Sequence, residues 1–190
     1  KEVYDIKEPD DRQPGWRTRT NLAKFDLASG ILQPITFGYH NIYLMDISAD
    51  SRYLLVGKNE ERLTKRPTTL TSIYRIDING LQTSASAVSR EQGLQVETLV
   101  DKGEFVNGAQ FSPDGKSLLL SGSPEAFDGI GKNVDEGQTP SMIDTQLYLM
   151  SLTDKKVRPM TKDFDPNVQS VEWSKADGNI YFTAEDKDCV

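Results

Sequence analysis

Residues 109–121 read AQFSPDGKSLLLS, and this stretch decides the fold of the chain. Apolar and polar residues alternate before Ser112, which predicts a strand with one buried face. Pro113 and Asp114 suit the two central positions of a type I turn, and Gly115 allows the positive φ that follows. The apolar run after the turn is typical of a strand buried on both faces. The stretch therefore predicts a β-hairpin whose second strand is the more central.

The same hairpin pattern occurs two more times. Residues 45–57 read MDISADSRYLLVG and residues 171–183 read VEWSKADGNIYFT. Aligned on their serines, Ser48, Ser112 and Ser174 lie 64 and 62 residues apart. Self-similarity at a regular spacing indicates a repeat architecture, in which each unit buries its apolar face against its neighbours.

A second repeated pattern lies between the hairpins. It reads AKFDL at 23–27, YRIDI at 74–78 and YLMSL at 148–152. Each copy is followed by a turn and by another short strand candidate. The resulting order of strands A, B, C and D predicts a four-stranded antiparallel meander for each repeat. Meanders of this kind in series form the blades of a β-propeller.

The chain is therefore predicted to be all-β, a partial β-propeller with about three blades' worth of four-stranded antiparallel sheet. The whole of 1–190 is one propeller fragment: a partial blade at 1–37, complete blades at 42–100 and 106–161, and a partial blade at 168–184. Val3–Ile6 is the candidate for strand B of the first partial blade. The length beyond an ordinary blade is assigned to loops at 57–71 and 122–145 and to a polar connection at 80–95.

Composition excludes several function classes. The 190 residues hold 22 Lys and Arg against 29 Asp and Glu, for a net charge of −7. A basic footprint for nucleic acid is absent, and no run approaches the roughly 20 apolar residues of a membrane span. The one cysteine, Cys189, excludes a disulfide scaffold. We predict no nucleic-acid partner and no membrane span.

The run QFSPDGK at 110–116 resembles the blade signature of TolB-type and prolyl-oligopeptidase-type propellers, which include WD40-like repeats. Residues 146–152, 158–161 and 173–183 resemble further elements of those blades. The long loops look most like the propeller of serine peptidases of the prolyl oligopeptidase family (S9), of the acylaminoacyl-peptidase or dipeptidyl-peptidase kind. This resemblance implies a non-catalytic propeller that gates or orients peptide substrates for an α/β-hydrolase domain of the same parent protein, outside this chain.

The alternative is a TolB-like interaction propeller with no enzyme attached. The resemblance also favours a periplasmic or secreted location, with the cytoplasm as the alternative. A cut ring exposes blade faces that normally cover one another, so we expect either self-association through those faces or a remainder of the protein, outside this chain, that covers them.

No catalytic residue is predicted in this chain. A hydrolase of the implied fold needs a serine in G-x-S-x-G, followed along the chain by an acid and a histidine. The sequence contains no G-x-S-x-G, and its single histidine, His40, is expected in a loop between blades. The parent protein, rather than this chain, would be the peptidase.

Glu60 and Glu61 are the candidate substrate-binding residues. In some dipeptidyl peptidases of the family, a pair of propeller glutamates binds the substrate's N-terminal ammonium, which two carboxylates suit chemically. Here Arg62 and Lys65 follow directly and are able to neutralise the pair. The alternative interpretation is a solvated loop.

No metal and no cofactor are predicted. Asp128, Asp135 and Glu136 make the loop at 122–145 rich in oxygen, but their spacing does not match a calcium-binding loop. That loop is either a solvated acidic segment or a contact with the hydrolase domain or a neighbouring subunit. Trp173 is expected in the core and Trp16 against neighbouring strands.

Overall fold

The computed structural model describes residues 19–79, 81 and 94–186. These residues form twelve strands and one short helix. No helix within them is long and apolar enough to cross a membrane. In chain order the elements are β1 (Ala23–Phe25), β2 (Leu32–Pro34), β3 (Ile42–Ile47), β4 (Tyr53–Glu61), β5 (Thr69–Asp77), β6 (Gln95–Glu104), β7 (Val106–Phe111), β8 (Ser117–Gly122), α1 (Ala126–Gly129), β9 (Gln146–Ser151), β10 (Val157–Pro159), β11 (Asn167–Trp173) and β12 (Ile180–Glu185).

The strands form four antiparallel sheets in chain order. Two are complete meanders, β3-β4-β5-β6 and β7-β8-β9-β10, which we call blade I and blade II. The other two have two strands each: β1-β2, the N-terminal half-blade, and β11-β12, the C-terminal half-blade. Every neighbouring pair is antiparallel. The predicted fold class, an all-β partial propeller of four-stranded antiparallel blades, is confirmed.

In blades I and II, the serine of the repeat closes the turn between the first two strands. The Ser112 hydroxyl donates to Asp114 Oδ1 at 2.6 Å and accepts the Ser117 amide at 2.9 Å. In blade I, Ser48 makes the same two bonds, at 2.6 Å to Asp50 and 2.8 Å from the Tyr53 amide. The serine hydroxyl accepts a backbone amide that the turn leaves without a backbone partner, and the nearby carboxylate in turn accepts the hydroxyl.

The apolar strand after the turn is buried on both faces in blades I and II, as the sequence predicts, whereas in the C-terminal half-blade the corresponding strand β12 is mostly exposed. Leu55 is in the core cluster between blades I and II, together with Leu118 and Leu120 of blade II. Leu119, whose side chain points to the other face, packs with Val168 of the C-terminal half-blade. Successive side chains of one strand thus fill two different interfaces between blades.

Tyr148 anchors the loop of blade II onto the core. Its side chain is fully buried, its hydroxyl donates to the Ser123 carbonyl at 2.6 Å, and its ring meets Phe127 edge-on at 5.2 Å. A Cβ at Gly131 would overlap the Tyr148 hydroxyl, so glycine is required for this close approach. Burial, with a smaller contribution from the charge of Glu125, raises the pKa of Tyr148 to about 12.

Polar side chains of the innermost strands connect each blade to the next. Asp46 Oδ2 accepts the backbone amide of Phe111 at 2.8 Å, which joins β3 to β7. Gln110 joins β7 to β11: its Oε1 accepts the Trp173 amide at 3.3 Å and its Nε2 donates to the Val171 carbonyl at 3.0 Å. Asp46 and Gln110 both stand two residues before the serine of their repeat.

The structure corrects one expectation about loop length. Residues 57–71 are mostly strand, since β4 runs to Glu61 and β5 starts at Thr69, so only 62–68 form a connection. Two paired strands of nine residues each satisfy the backbone that an irregular loop would expose. Residues 122–145 do form a long connection, which includes α1. Val3–Ile6, Trp16, Cys189 and most of 80–95 lie outside the described residues.

Candidate functional site

A cleft of about 500 Å³ lies between blades I and II. Three segments form its walls: the β4–β5 hairpin, the link between β6 and β7, and the loop that precedes β9. Its apolar wall consists of Pro67, Phe105, Val106, Met142 and Ile143. Ile143 is 87% exposed, so an apolar side chain is presented to solvent at the cleft.

The floor of the cleft is polar and internally bonded. The Tyr43 hydroxyl and the Thr71 hydroxyl both donate to Asn59 Oδ1, at 3.0 and 3.3 Å. Burial raises the pKa of Tyr43, while its bond to Asn59 opposes that shift. Asn59 lines the cleft, and its amide nitrogen has no hydrogen-bond partner among the described residues.

The extended β4–β5 hairpin is held over the cleft by Arg62. Its Nη1 donates to Glu104 Oε1 at 2.6 Å, and its Nη2 donates to the carbonyls of Arg66 and Pro67, each at 3.1 Å. The bond from Arg62 is the largest cause of the lowered pKa of Glu104. This guanidinium ties the tip of one hairpin to the last residue of β6, so its role is structural.

Arg66 gives the cleft its charge. It lines the cleft, its side chain is exposed, and within the described ranges no carboxylate pairs with its guanidinium. Lys65 lies beside it and is 3.5 Å from Glu104, whose charge Arg62 already balances. The hairpin tip is thus cationic in a protein whose net charge is −7. Such a wall favours an anionic or carbonyl-rich ligand.

Glu60 and Glu61 lie on β4, not on a loop, and neither lines the cleft. Adjacent residues of a strand point to opposite faces, so the two carboxylates do not converge on one point. Glu60 accepts Lys58 at 2.6 Å and Lys102 at 3.2 Å, and the bond from Lys58 is the largest cause of its lowered pKa. Glu61 accepts only a long bond of 3.4 Å from the Thr69 hydroxyl among the described residues. Substrate contact by Glu60 and Glu61 stays a prediction.

The remaining residues considered from sequence are dispersed. His40 is exposed in the bend before β3. The connection before β9 contains Asp128, Asp135 and Glu136. The described part of the chain holds no cluster of three or more potential metal ligands. Trp173 is half-buried against Leu119 and Val168, with its Nε1 donating to the Gly178 carbonyl at 3.0 Å.

The cleft residues themselves were not predicted from the sequence. Arg66 and Asn59 carry no motif, and Met142 and Ile143 are a single apolar pair within a polar loop. The available signal was the basic run RLTKR at 62–66 in an acidic chain, which indicates a local charge but not what it faces.

Comparison with known proteins gives structural likeness only. No family model and no curated protein matches the sequence. TolB from Acinetobacter baumannii is similar in structure, with 16% identity, a TM-score of 0.48, and coverage of 85% of this chain and 37% of that one. The β-propeller domain of the Trilobed protease from Pyrococcus furiosus, described as having an open velcro topology, is 16% identical with a TM-score of 0.42, covering 86% and 55%.

The chain thus spans less than two thirds of the length of either solved structure. Its description as a partial propeller follows from its own strand order, in which two complete meanders lie between two two-stranded sheets.

Proposed function

We propose that this chain is a non-catalytic propeller segment that binds an extended peptide in the cleft between blades I and II. The observation that carries the proposal is the combination, in one cleft, of the Arg66 guanidinium, which no carboxylate of the described residues pairs with, the amide group of Asn59, and an exposed apolar wall. Peptides offer carbonyl oxygens and carboxylates to such donors and apolar side chains to such a wall.

In the leading form of the proposal, the parent protein is a serine peptidase of the prolyl oligopeptidase family. The propeller would then gate or orient the peptide for an α/β-hydrolase domain of that parent protein. Support comes from the sequence resemblance and from the long connection between β8 and β9, which forms one wall of the cleft. A location in the periplasm or outside the cell is proposed on the same resemblance.

The second form is a TolB-like interaction propeller, in which the cleft holds a segment of a protein partner and no chemistry follows. It rests on the same cleft and on the blade signature at 110–116. The coding sequence that adjoins these residues separates the two forms. A G-x-S-x-G motif followed by Asp and His supports the peptidase, and further blades ending in a stop codon support the interaction propeller.

Peptide binding is tested by fluorescence anisotropy with two labelled peptides of equal length. One alternates acidic and leucine residues, and the other replaces every acid with lysine. We expect the acidic peptide to bind in a salt-dependent way and Arg66→Ala to weaken it about tenfold, the value of one charge-assisted contact.

The matched control is Arg158→Ala, which removes an exposed arginine of β10 that does not line the cleft and should leave binding unchanged. Equal binding of both peptides, or equal loss in the two arginine variants, would contradict a specific site. This chain by itself is also expected to release no product from aminoacyl or dipeptidyl chromogenic substrates.

A further inference from the structure

The charges around the cleft distinguish the two ends of a peptide. Arg66 lines the cleft, whereas no aspartate or glutamate of the described residues does. An N-terminal ammonium needs a carboxylate partner, and a C-terminal carboxylate is matched by a guanidinium. We propose that the cleft binds the free C-terminal carboxylate of a peptide whose last side chain is apolar. This inference rests on the proposed function and specifies which end of the peptide the cleft holds.

The glutamates of the neighbouring strands β4 and β6 leave this preference intact. Glu104 is bonded to Arg62 at 2.6 Å, and Glu60 is bonded to Lys58 at 2.6 Å, so both carboxylates are paired with cations. Glu61 pairs with no cation among the described residues, but it does not line the cleft. If a peptide ammonium bound here, Glu61 would be its partner.

Arg66 is mounted on a restrained part of the β4–β5 connection. Its carbonyl and that of Pro67 each accept Nη2 of Arg62 at 3.1 Å, and the Arg62 amide donates to the Thr68 carbonyl at 2.6 Å. These bonds fix the backbone around Arg66, while its side chain stays exposed. A cation on a fixed backbone loses less conformational freedom when it binds a ligand than one on a mobile loop.

Asn59 supplies a second donor on the floor of the cleft. Its Oδ1 accepts the hydroxyls of Tyr43 and Thr71 at 3.0 and 3.3 Å, which orients the side-chain amide. Its amide nitrogen has no partner among the described residues. A carboxylate presents two oxygens and therefore accepts bonds from more than one such donor.

The apolar wall suits the last side chain of the peptide. Ile143 is 87% exposed and Met142 is 44% exposed. The Ser141 hydroxyl accepts the amides of Ile143 and Asp144 at 3.3 and 3.1 Å, which holds this turn in place. In a C-terminal residue, the carboxylate and the side chain leave the same Cα, so one small cleft with a cation and an apolar wall accommodates both. An internal aspartate or glutamate offers a carboxylate but no apolar side chain on the same residue.

Competition against the labelled acidic peptide tests which end is bound. The competitors are hexapeptides of alanine, serine and threonine that end in leucine, made with each end either free or capped. We expect amidation of the C terminus to raise the inhibition constant about tenfold, since it removes one charge-assisted contact, and acetylation of the N terminus to leave it unchanged. In Arg66→Ala the acid and the amide should compete equally, whereas Arg158→Ala should keep the tenfold difference.

Two further variants test the floor and the wall. Asn59→Asp keeps an oxygen for Tyr43 and Thr71 but puts a negative charge in place of the amide nitrogen, so the free acid should lose about tenfold more affinity than the amide. A final serine in place of leucine should compete several-fold less well with the parent protein. Ile143→Ser should remove that preference for leucine, because it removes the apolar contact.

The outcomes separate this inference from the proposed function. If the acid and the amide compete equally, or neither competes, while the acidic probe still binds through Arg66, the cleft holds an internal carboxylate and the C-terminal assignment is overturned. If acetylation of the N terminus weakens competition and Glu61→Gln removes that effect, the cleft holds the ammonium end, and the assignment is wrong as well. If the acidic probe itself does not bind, the proposed function is wrong and this inference with it.

Discussion

The complete blades and the half-blades carry the same strand pattern but differ in burial. Leu119 of β8 and Tyr181 of β12 follow the same kind of turn and hold the same position in an apolar run. Leu119 is covered by the C-terminal half-blade, whereas Tyr181 faces no further blade among the described residues. Position in the repeat thus specifies which way a side chain points, and only the presence of a neighbouring blade decides whether it is buried.

The largest expected effect comes from replacing the side chain at this repeat position by alanine, once in β8 at Leu119 and once in β12 at Tyr181. Leu119→Ala should lower the free energy of unfolding by about 2–5 kcal/mol, because it removes a buried side chain and leaves a cavity. Tyr181→Ala should change it by less than about 0.5 kcal/mol when the protein is dilute enough to be monomeric. Urea unfolding followed by circular dichroism measures both values.

The comparison breaks if Tyr181→Ala is as destabilising as Leu119→Ala under dilute conditions. That result would mean that residues of the same chain already cover β12. A difference that appears only at low protein concentration would instead agree with burial of Tyr181 between two copies.

A smaller effect is expected at the tyrosine of the third strand of each blade. Tyr148 of blade II is fully buried and bonded to the Ser123 carbonyl, while Tyr74 of blade I, at the same repeat position, is only half-buried. Tyr148→Phe should cost about 1–2 kcal/mol, because it leaves a buried carbonyl without its donor. Tyr74→Phe is the matched control and should be nearly neutral in the same unfolding measurement.

The raised pKa of Tyr148 adds a dependence on pH. Its phenol ionises near 10 in the unfolded chain and at about 12 in the folded one, so the unfolded state loses its proton first. The contribution to stability is complete below pH 10 and is lost as pH rises toward 12. Between pH 10 and about pH 12, the free energy of unfolding should fall less in Tyr148→Phe than in the parent protein. Parallel curves of unfolding free energy against pH would mean that the phenol ionises normally.

The smallest effect distinguishes the two serine turns. Ser51 of blade I and Gly115 of blade II hold equivalent positions with φ of 58° and 68°. Since only glycine adopts this region without cost, Ser51→Gly should stabilise the protein by about 0.5–1 kcal/mol and Gly115→Ser should destabilise it by a similar amount. A Cβ at 115 meets no atom within 4 Å, so the glycine substitution reports backbone strain alone. Shifts of the same sign in both variants, measured as thermal midpoints, would contradict this explanation.

Local sequence was sufficient to predict the strands and turns of the blades, since period-two alternation and the turn residues at 112–115 act over a few residues. It was insufficient at 57–71, where polar residues suggested a loop and the structure has a long paired hairpin. Pairing with a neighbouring strand satisfies polar backbone regardless of side-chain hydropathy, so composition does not reveal it. The cleft was not predictable from local sequence either, because contacts such as the Arg62–Glu104 hydrogen bond join residues 42 apart along the chain.

The amino-acid sequence by itself determined the repeat, the order of strands within a blade and the side-chain direction at each strand position. Tertiary structure alone decided which of those side chains have a covering neighbour, where Arg66 and the apolar loop meet, and that Glu60 and Glu61 diverge. The physical reason is range: turns and alternation follow from backbone geometry within a few residues, whereas burial, ion pairing and clefts arise between segments that only the packing of blades brings together.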